Sequence, residues 1–336
     1  MNNQFKYQPI YITLVIILLL ITPINASTSA ICTPVVYSIS NNRIIDKSGQ
    51  HNISPEDIYI HFIDVGQADS ALIELPEKRY ILIDGGNNND GDKIIKYLQS
   101  LNVSKIDYII GTHPHEDHIG GLDQIIDNFD IGKIYLPQVT HTTKTYEDLL
   151  ISIRNKGKKI IAARAGVNIL NEDNLEVFFI SPIQHNYEEL NHYSAVVKMK
   201  YRDTSFLFTG DVEQINEKEI LDNYNDILDS DLLKVAHHGS SSSTGEAFLD
   251  IVTPAYAVIS VGKDNKYGHP SPVVLERLAN RKIDTYRTDL HGTIIVQSDG
   301  YDISFSIESL NIITPEKEPN NIIDYILGII GRLLER

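Results

Sequence analysis

The residues with the most chemistry in them are gathered in one short stretch, THPHEDHIGG, where His113, His115, Asp117 and His118 fall within six positions. Neutral imidazole and carboxylate oxygen are good ligands for zinc, and also for manganese or iron. His113 and His115 lie either side of Pro114 and face one way if the chain is extended there. Asp117 and His118 are adjacent and can serve a second position as the chain turns. Three imidazoles and a carboxylate at this density weigh against a merely solvated loop. Three further candidates each follow an apolar run. Asp211 ends TSFLFTGD, His237 and His238 end DLLKVAHHGS, and His269 follows YAVISVGKDNKYGHP. One carboxylate between two histidine groups is what a pair of metal ions needs as a bridge. One or two divalent ions are therefore expected, zinc first and manganese as the alternative. The chemistry they suggest is hydrolysis by a metal-generated hydroxide, with Asp117 accepting its proton or holding it in line.

Weaker signals surround this set. Asp84 in LIDGG closes another apolar run and could orient a ligand histidine from behind, although a plain turn aspartate would read the same way. Asp64 in HFIDVGQADS is weaker still. In SSSTGE, Ser243 and Glu246 have capping-box spacing. This predicts a helix N-terminus that, with Ser240 to Ser242, could bind a phosphate through backbone N–H groups. A simple serine-rich loop is the alternative. The single cysteine, Cys32, excludes an internal disulfide and any cysteine-rich zinc finger, so metal must rest on His, Asp and Glu. With 29 basic and 45 acidic residues the net charge is −16. That is not the footprint of a non-specific nucleic-acid binder, and a phosphate-bearing substrate must be held by local features.

The elements that would position these residues are those of an α/β domain over residues 53–312. IYIHFIDVG, ALIEL and RYILID read as short strands bounded by turn residues, and GDKIIKYLQSLNV as an amphipathic helix. IDYIIGT is nearly all apolar, as in a strand covered on both faces. A helix at 122–129, the strand KIYL and a helix at 146–154 follow. EVFFI, AVVKMKY and TSFLFTG are strands, and 212–224 is helical. DLLKVA, a helix from Gly245, YAVISV, a helix from Pro272, TIIVQ and YDISFSI complete the series. Alternating strands and helices imply helices layered outside sheets. The histidine segment directly follows a buried strand, where α/β folds place ligands. Gly120-Gly121 lets the next helix start close to it.

The two ends differ in character. Lys6, the apolar run at 10–21 and the small residues of NASTSA read as an export signal over residues 1–30, cleaved after Ala26 or Ala30, or kept as a membrane anchor. Twelve apolar-type residues are short for a bilayer span of about 20. At the other end, residues 313–321 form a polar linker with two prolines. Residues 322–336 carry apolar positions at helical spacing. This C-terminal amphipathic helix would dock on its own domain, on a partner protein or on a membrane surface. The protein is expected to be extracellular or held on the outer side of the cytoplasmic membrane.

These residues together resemble the metallo-β-lactamase superfamily, whose fold is an αββα sandwich of two mixed sheets with outer helices. HPHEDH is similar to its HxHxDH motif. More closely, the chain resembles the metallo-β-lactamase domain of ComEC/Rec2-type competence proteins in FIDVGQADS, ILIDGG, THPHEDHIGGL, FLFTGD, LLKVAHHGS, VISVGKDNKYGHP and YRTDLHG. The resemblance implies a metal-dependent phosphodiesterase or nuclease acting on DNA. It implies His113 and His115 on a first metal, Asp117 and His118 on a second, Asp211 as bridge and His269 completing the second. It further implies that His238, with His237, faces substrate phosphate, where either could stabilise developing charge. Many members carry another metal histidine between Asp117 and Asp211. Here that stretch reads LNHYSAVVKM, with Asn191 and Ser194 at ComEC-type spacing and His192 beside them as a tentative ligand. A single metal is then an alternative to two. Competence proteins also carry a multi-span channel, so an exported stand-alone domain is expected. Hydrolysis of a lactone, thioester or β-lactam, or a non-catalytic exported binding protein, are the competing functions.

Overall fold

The computed structural model describes residues 37–39, 56–306 and 310–312. The leader at 1–30, the linker at 313–321 and the helix at 322–336 lie outside the described residues. Among the described residues no helix is long and apolar enough to cross a membrane.

In chain order the strands are β1 (Tyr37–Ile39), β2 (Ile58–Phe62), β3 (Ala71–Leu75), β4 (Arg79–Ile83), β5 (Lys105–Ile110), β6 (Asp130–Leu136), β7 (Ile160–Ala162), β8 (Asn168–Glu172) and β9 (Leu175–Ser181). They continue with β10 (Val196–Tyr201), β11 (Thr204–Phe208), β12 (Leu232–Lys234), β13 (Tyr256–Ile259), β14 (Asp284–Arg287), β15 (Ile294–Ser298), β16 (Ile303–Phe305) and β17 (Leu310–Ile312). The helices are α1 (Gly91–Ser100), α2 (Glu116–Ile119), α3 (Leu122–Asn128), α4 (Lys144–Asn155), α5 (Gln214–Tyr224), α6 (Glu246–Val252), α7 (Pro272–Asn280) and α8 (Thr288–His291). One sheet has the order β16-β15-β2-β3-β4-β5-β6-β7, and the other β1-β17-β14-β13-β12-β11-β10-β9-β8. Each is mixed: β4 to β7 run parallel, as do β11 to β14, and the remaining pairings are antiparallel.

Alternation along the strands decides which layer each side chain enters. Ile58, Ile60 and Phe62 of β2 meet Val177 and Phe179 of β9 and Phe206 and Phe208 of β11 between the sheets. Phe62 and Phe208 stack there with ring centres 6.1 Å apart. The intervening residues point outward under helices. Leu82, Ile106 and Ile109 lie beneath Ile94, Leu98, Ile125 and Leu149 of α1, α3 and α4. Leu207, Leu233 and Ala257 lie beneath Ile220, Phe248 and Leu275 of α5, α6 and α7. Both faces of both sheets are covered, so the strands can be apolar throughout. The architecture is the expected αββα sandwich. Because β4, β5, β11, β12 and β13 all run the same way within their sheets, their carboxyl ends open loops that carry Asp84, the 112–118 segment, Asp211, His237–His238 and His269.

Candidate metal centre

Strand β5 ends at Ile110, and Thr112 and His113 follow in buried chain that bends at 113–114 before α2 begins. His113 is 1% and His118 0% exposed, which is costly for imidazole unless each ring finds partners. The partners come from β4. Asp84, itself buried, accepts the backbone N–H of Thr112 at 2.8 Å and the Thr112 hydroxyl at 2.8 Å. Its Oδ2 lies 2.8 Å from Nδ1 of His118. With the Thr112 hydroxyl committed to Asp84, its oxygen can accept from Nδ1 of His113, 3.1 Å away. Both rings then keep their Nε2 lone pairs for the opposite side, the tautomer a metal-ligating histidine needs. Asp84 is therefore not a turn aspartate. It braces His118.

The glycine pair makes this contact possible. A Cβ on Gly120 would sit 2.3 Å from the Asn88 nitrogen, and one on Gly121 would sit 2.4 Å from the Gly85 carbonyl oxygen. The chain between α2 and α3 is pressed against the loop after β4 more closely than any side chain allows.

From the second sheet comes Asp211, after β11. Its backbone N–H donates to Ser194 Oγ at 3.1 Å, and that hydroxyl lies 3.4 Å from Nδ1 of His113. Asp211 Oδ1 faces His118 Nε2 at 3.3 Å, and Oδ2 faces His113 Nε2 at 3.9 Å. His113 Nε2 also lies 2.9 Å from His115 Nδ1. After β12 the chain makes an unusual turn. His237 (φ 50°) and His238 (φ 51°) are both left-handed, followed by Gly239 (φ 84°). Non-glycine residues there cost about 1–3 kcal/mol each and mark functional sites. The turn drives His238 into the interior, 2% exposed. Its Nε2 lies 3.4 Å from Asp117 Oδ2 and 3.9 Å from Asp211 Oδ2. His237, partly exposed, has Nε2 3.6 Å from Asp211 Oδ2.

Donor atoms of His113, His118 and Asp211 thus gather within 4.8 Å of one another, as do those of Asp117, His118 and His238. His118 Nε2, Asp211 Oδ1 and His238 Nε2 are buried with no hydrogen-bond partner among the described residues. Buried polar atoms without partners are costly, and a divalent cation between them would satisfy all three. The donor set fits a metal of the zinc or manganese kind. Electrostatics agree. Burial presses the Asp211 carboxyl upward, but His118, His238 and His113 overcome it and hold it far below the usual range. Burial likewise opposes ionisation of Asp117, and His118 and His238 reverse the effect. Burial pushes His118 down, but Asp211, Asp84 and Asp117 raise it well above an ordinary imidazole. His238 behaves the same way, burial being outweighed by Asp211, Asp69 and Asp117. His113 goes the other way, lowered by burial and by His118. Protons on His118 and His238 occupy the electron pairs for which a cation competes.

Four sequence expectations part from this geometry. His269 does not join the cluster. Its ring meets His237 with centres 5.8 Å apart, and His238, expected to face substrate, lies beside Asp117 and His118 instead. The reason is the left-handed turn, which reverses the direction of consecutive side chains. Asn191 and His192 both pair with Glu213, at 3.4 Å and 3.3 Å, while Ser194 alone reaches the centre. The expected phosphate-binding helix start is also absent. Gly245 caps α6 without a capping box, Ser243 donates to the Val212 carbonyl, and the N–H groups of Thr244 and Gly245 donate to the Glu217 carboxylate. The protein's own Glu217 carboxyl already fills that role.

Two functional candidates were not singled out in the sequence. Asp69, buried at the end of VGQAD, lies 3.5 Å from His238 Nδ1 and 2.8 Å from the Nζ of buried Lys234. Its backbone N–H donates to the Asp117 carbonyl at 3.0 Å. The hydrogen bond that orients His238 runs from Nδ1 to the Ser260 carbonyl at 2.9 Å, and the Asp69 carboxylate stands beside it as a neighbouring charge. A lysine inside the apolar run DLLKVA was the available signal, since a buried ammonium requires an anion.

A family model described as the metallo-beta-lactamase superfamily matches residues 63–263. The chain is 29% identical over 304 residues to ComE operon protein 3 of Bacillus subtilis (strain 168), covering 84% of this chain and 38% of that protein. It is 29% identical over 232 residues to competence protein ComA of Neisseria gonorrhoeae, covering 69% and 31%. With recombination protein 2 of Haemophilus influenzae it shares 28% identity over 239 residues, covering 70% and 28%. The chain spans well under half the length of these relatives.

Proposed function

The chain belongs to the metallo-beta-lactamase superfamily and is a metal-dependent hydrolase by its fold and donor set, and we propose that the bond it cleaves is a phosphodiester of DNA. The observation that carries hydrolysis is the convergence of His113, Asp117, His118, Asp211 and His238, with partnerless buried donor atoms. Support for DNA comes from the similarity to proteins named for competence and recombination, both of them DNA processes.

In this reading His113, His115 and Asp211 would hold one ion, and Asp117, His118 and His238 would hold another, with the Asp211 carboxylate available to both. Zinc is the metal, manganese the alternative. When bound, such ions polarise a phosphoryl oxygen and make the attacking water more acidic. The chain's own groups supply the rest. Asp84 and Thr112 lock the His118 ring, Ser194 steadies Asp211 and His113, and the Ser260 carbonyl holds His238 Nδ1, with the Asp69–Lys234 pair beside it. Asp117, a third exposed and ionised, is the group able to take up the nucleophile's proton. His237, partly exposed beside Asp211, is positioned toward solvent, where it can donate to charge developing on substrate oxygen. We also propose export, on the strength of Lys6 and the apolar run at 10–21.

Purified protein loaded with zinc or manganese is to be assayed on plasmid DNA, on bis-p-nitrophenyl phosphate and on a lactone. Cleavage of either phosphodiester, lost on chelation and in Asp211→Ala, is the expected result. Lactone opening without phosphodiester cleavage assigns the site to another bond.

A further inference from the structure

The loop that leads to His269 has architecture of its own. Residues 262–269 join β13 to α7 and are organised from within by Asn265. Its Nδ2 donates to the carbonyls of Gly262 at 3.0 Å and His269 at 2.6 Å, and its Oδ1 accepts from the N–H groups of Tyr267 and His269, both at 3.1 Å. Gln67 ties the loop to the first sheet by accepting from the Gly262 N–H at 3.0 Å. With the backbone fixed in this way, four side chains are left outside: Lys263, Asp264, Lys266 and Tyr267. Tyr267 is 59% exposed, a rigid aromatic face that the core does not use. Its ring lies within 18° of parallel to His269, centres 5.9 Å apart. His269 in turn meets His237, and His237 meets Asp211. Tyr267 therefore begins a row of side chains that ends at the candidate metal centre. On a chain of net charge −16, Lys266 Nζ lies at its outer end, and Lys263 and Asp264 are exposed in the same loop.

We propose that residues 262–269 form a nucleotide-binding subsite, in which Tyr267 stacks on a nucleobase next to the scissile phosphate and Lys263 and Lys266 hold the neighbouring phosphates. This rests on the phosphodiesterase reading and deepens it. A preorganised aromatic face with flanking cations is how proteins hold an unpaired nucleotide irrespective of base identity, because every base presents a π-face. Lys266 Nζ lies over the Tyr267 ring at 5.1 Å. An exposed cation–π contact of this kind is weaker than base stacking. The base takes the ring, and Lys266 turns to the phosphate.

The test is fluorescence anisotropy with the full chain in chelator, so that no turnover intrudes. One probe is a labelled ten-nucleotide oligothymidine, and the other an abasic oligomer of equal length. Wild type binds the first more tightly. Tyr267→Ala weakens binding of the base-bearing probe by roughly 5- to 100-fold, to the level of the abasic probe, and Tyr267→Trp restores it. The double change Lys263→Gln, Lys266→Gln weakens both probes alike and lowers the salt slope by about 1.4. Equal affinity of wild type for the two probes, no measurable binding of either, or Tyr267→Ala indistinguishable from wild type would overturn the subsite. If loaded enzyme cleaves DNA and the Tyr267 variants are alike, the subsite alone is wrong. If the binding pattern holds and no phosphodiester is cleaved, the subsite stands and the phosphodiesterase reading is wrong.

Discussion

His238 and His269 both follow apolar strands, and only position in space separates a ligand from a neighbour. His238 Nε2 lies 3.4 Å from Asp117, whereas His269 is held against His237 and Tyr267. Elemental analysis should therefore show bound metal falling by at least half in His238→Ala and staying near the wild-type level in His269→Ala. The opposite pattern would return His269 to the ligand set. Lys234 makes a second residue-scale case. Among the described residues its only carboxylate partner in hydrogen-bond range is Asp69, and both side chains are buried. Removing one member of a buried pair leaves the other charge uncompensated, at about 3–5 kcal/mol. Lys234→Met should lose stability of that order in urea unfolding. Asp69→Asn, which keeps the shape but removes a negative charge 3.5 Å from His238 Nδ1, should lower metal affinity by about 10–100-fold in a chelator competition. Neither change in metal affinity nor loss of stability would mean that the pair has no part in the site.

At the scale of elements, the apolar runs were readable because both faces of both sheets are covered, so each strand is a near-continuous apolar segment. IDYIIGT and TSFLFTG became β5 and β11, and the helices at 91–100, 122–128, 144–155 and 272–280 begin within two residues of the expected places. What the sequence hid was short or polar. Strand β8 (NILNE) alternates with exposed asparagine and glutamate, and β14 (DTYR) carries charged residues at both ends. The histidine segment was legible because its ligands are local. The Asp69–Lys234 contact was not, since it joins residues 165 apart. Nor was the choice between His238 and His269, which depends on two left-handed residues that no propensity favours. Element packing also yields a pH signature. His61 of β2 is buried against Tyr97 of α1, Nδ1 to hydroxyl 2.8 Å, and burial lowers its pKa from 6.5 to about 4. Above pH 6.5 the ring is neutral folded or unfolded, and it contributes no pH dependence. Between 6.5 and about 4 only the unfolded chain takes the proton, so stability falls as pH falls. The loss is about 3 kcal/mol at most, at 1.36 kcal/mol per pKa unit. Urea midpoints of wild type and His61→Gln should diverge progressively at pH 7, 5.5 and 4.5. A difference constant across that range would show that His61 titrates normally in the fold.

At the scale of the whole molecule, the candidate centre exists only because two sheets face each other. The first sheet supplies Asp69, Asp84 and residues 112–118. The second supplies Ser194, Asp211 and residues 237–238. Neither half alone collects a ligand set with a shared carboxylate. Asp211 is where the two halves meet, with His113 and His118 on one side and His237 and His238 on the other. We propose that this meeting point is a metal-dependent phosphodiesterase site. The direct measurement is cleavage of an end-labelled DNA oligonucleotide by wild type and Asp211→Ala across a titration of zinc or manganese, with metal content measured in the same samples. Wild-type cleavage should rise in proportion to bound metal, and Asp211→Ala, folded by circular dichroism, should lose at least about 10²-fold in rate, as expected when a charge-stabilising group is removed. Full metal loading of wild type with no cleavage of the oligonucleotide, or undiminished cleavage by Asp211→Ala, would contradict it.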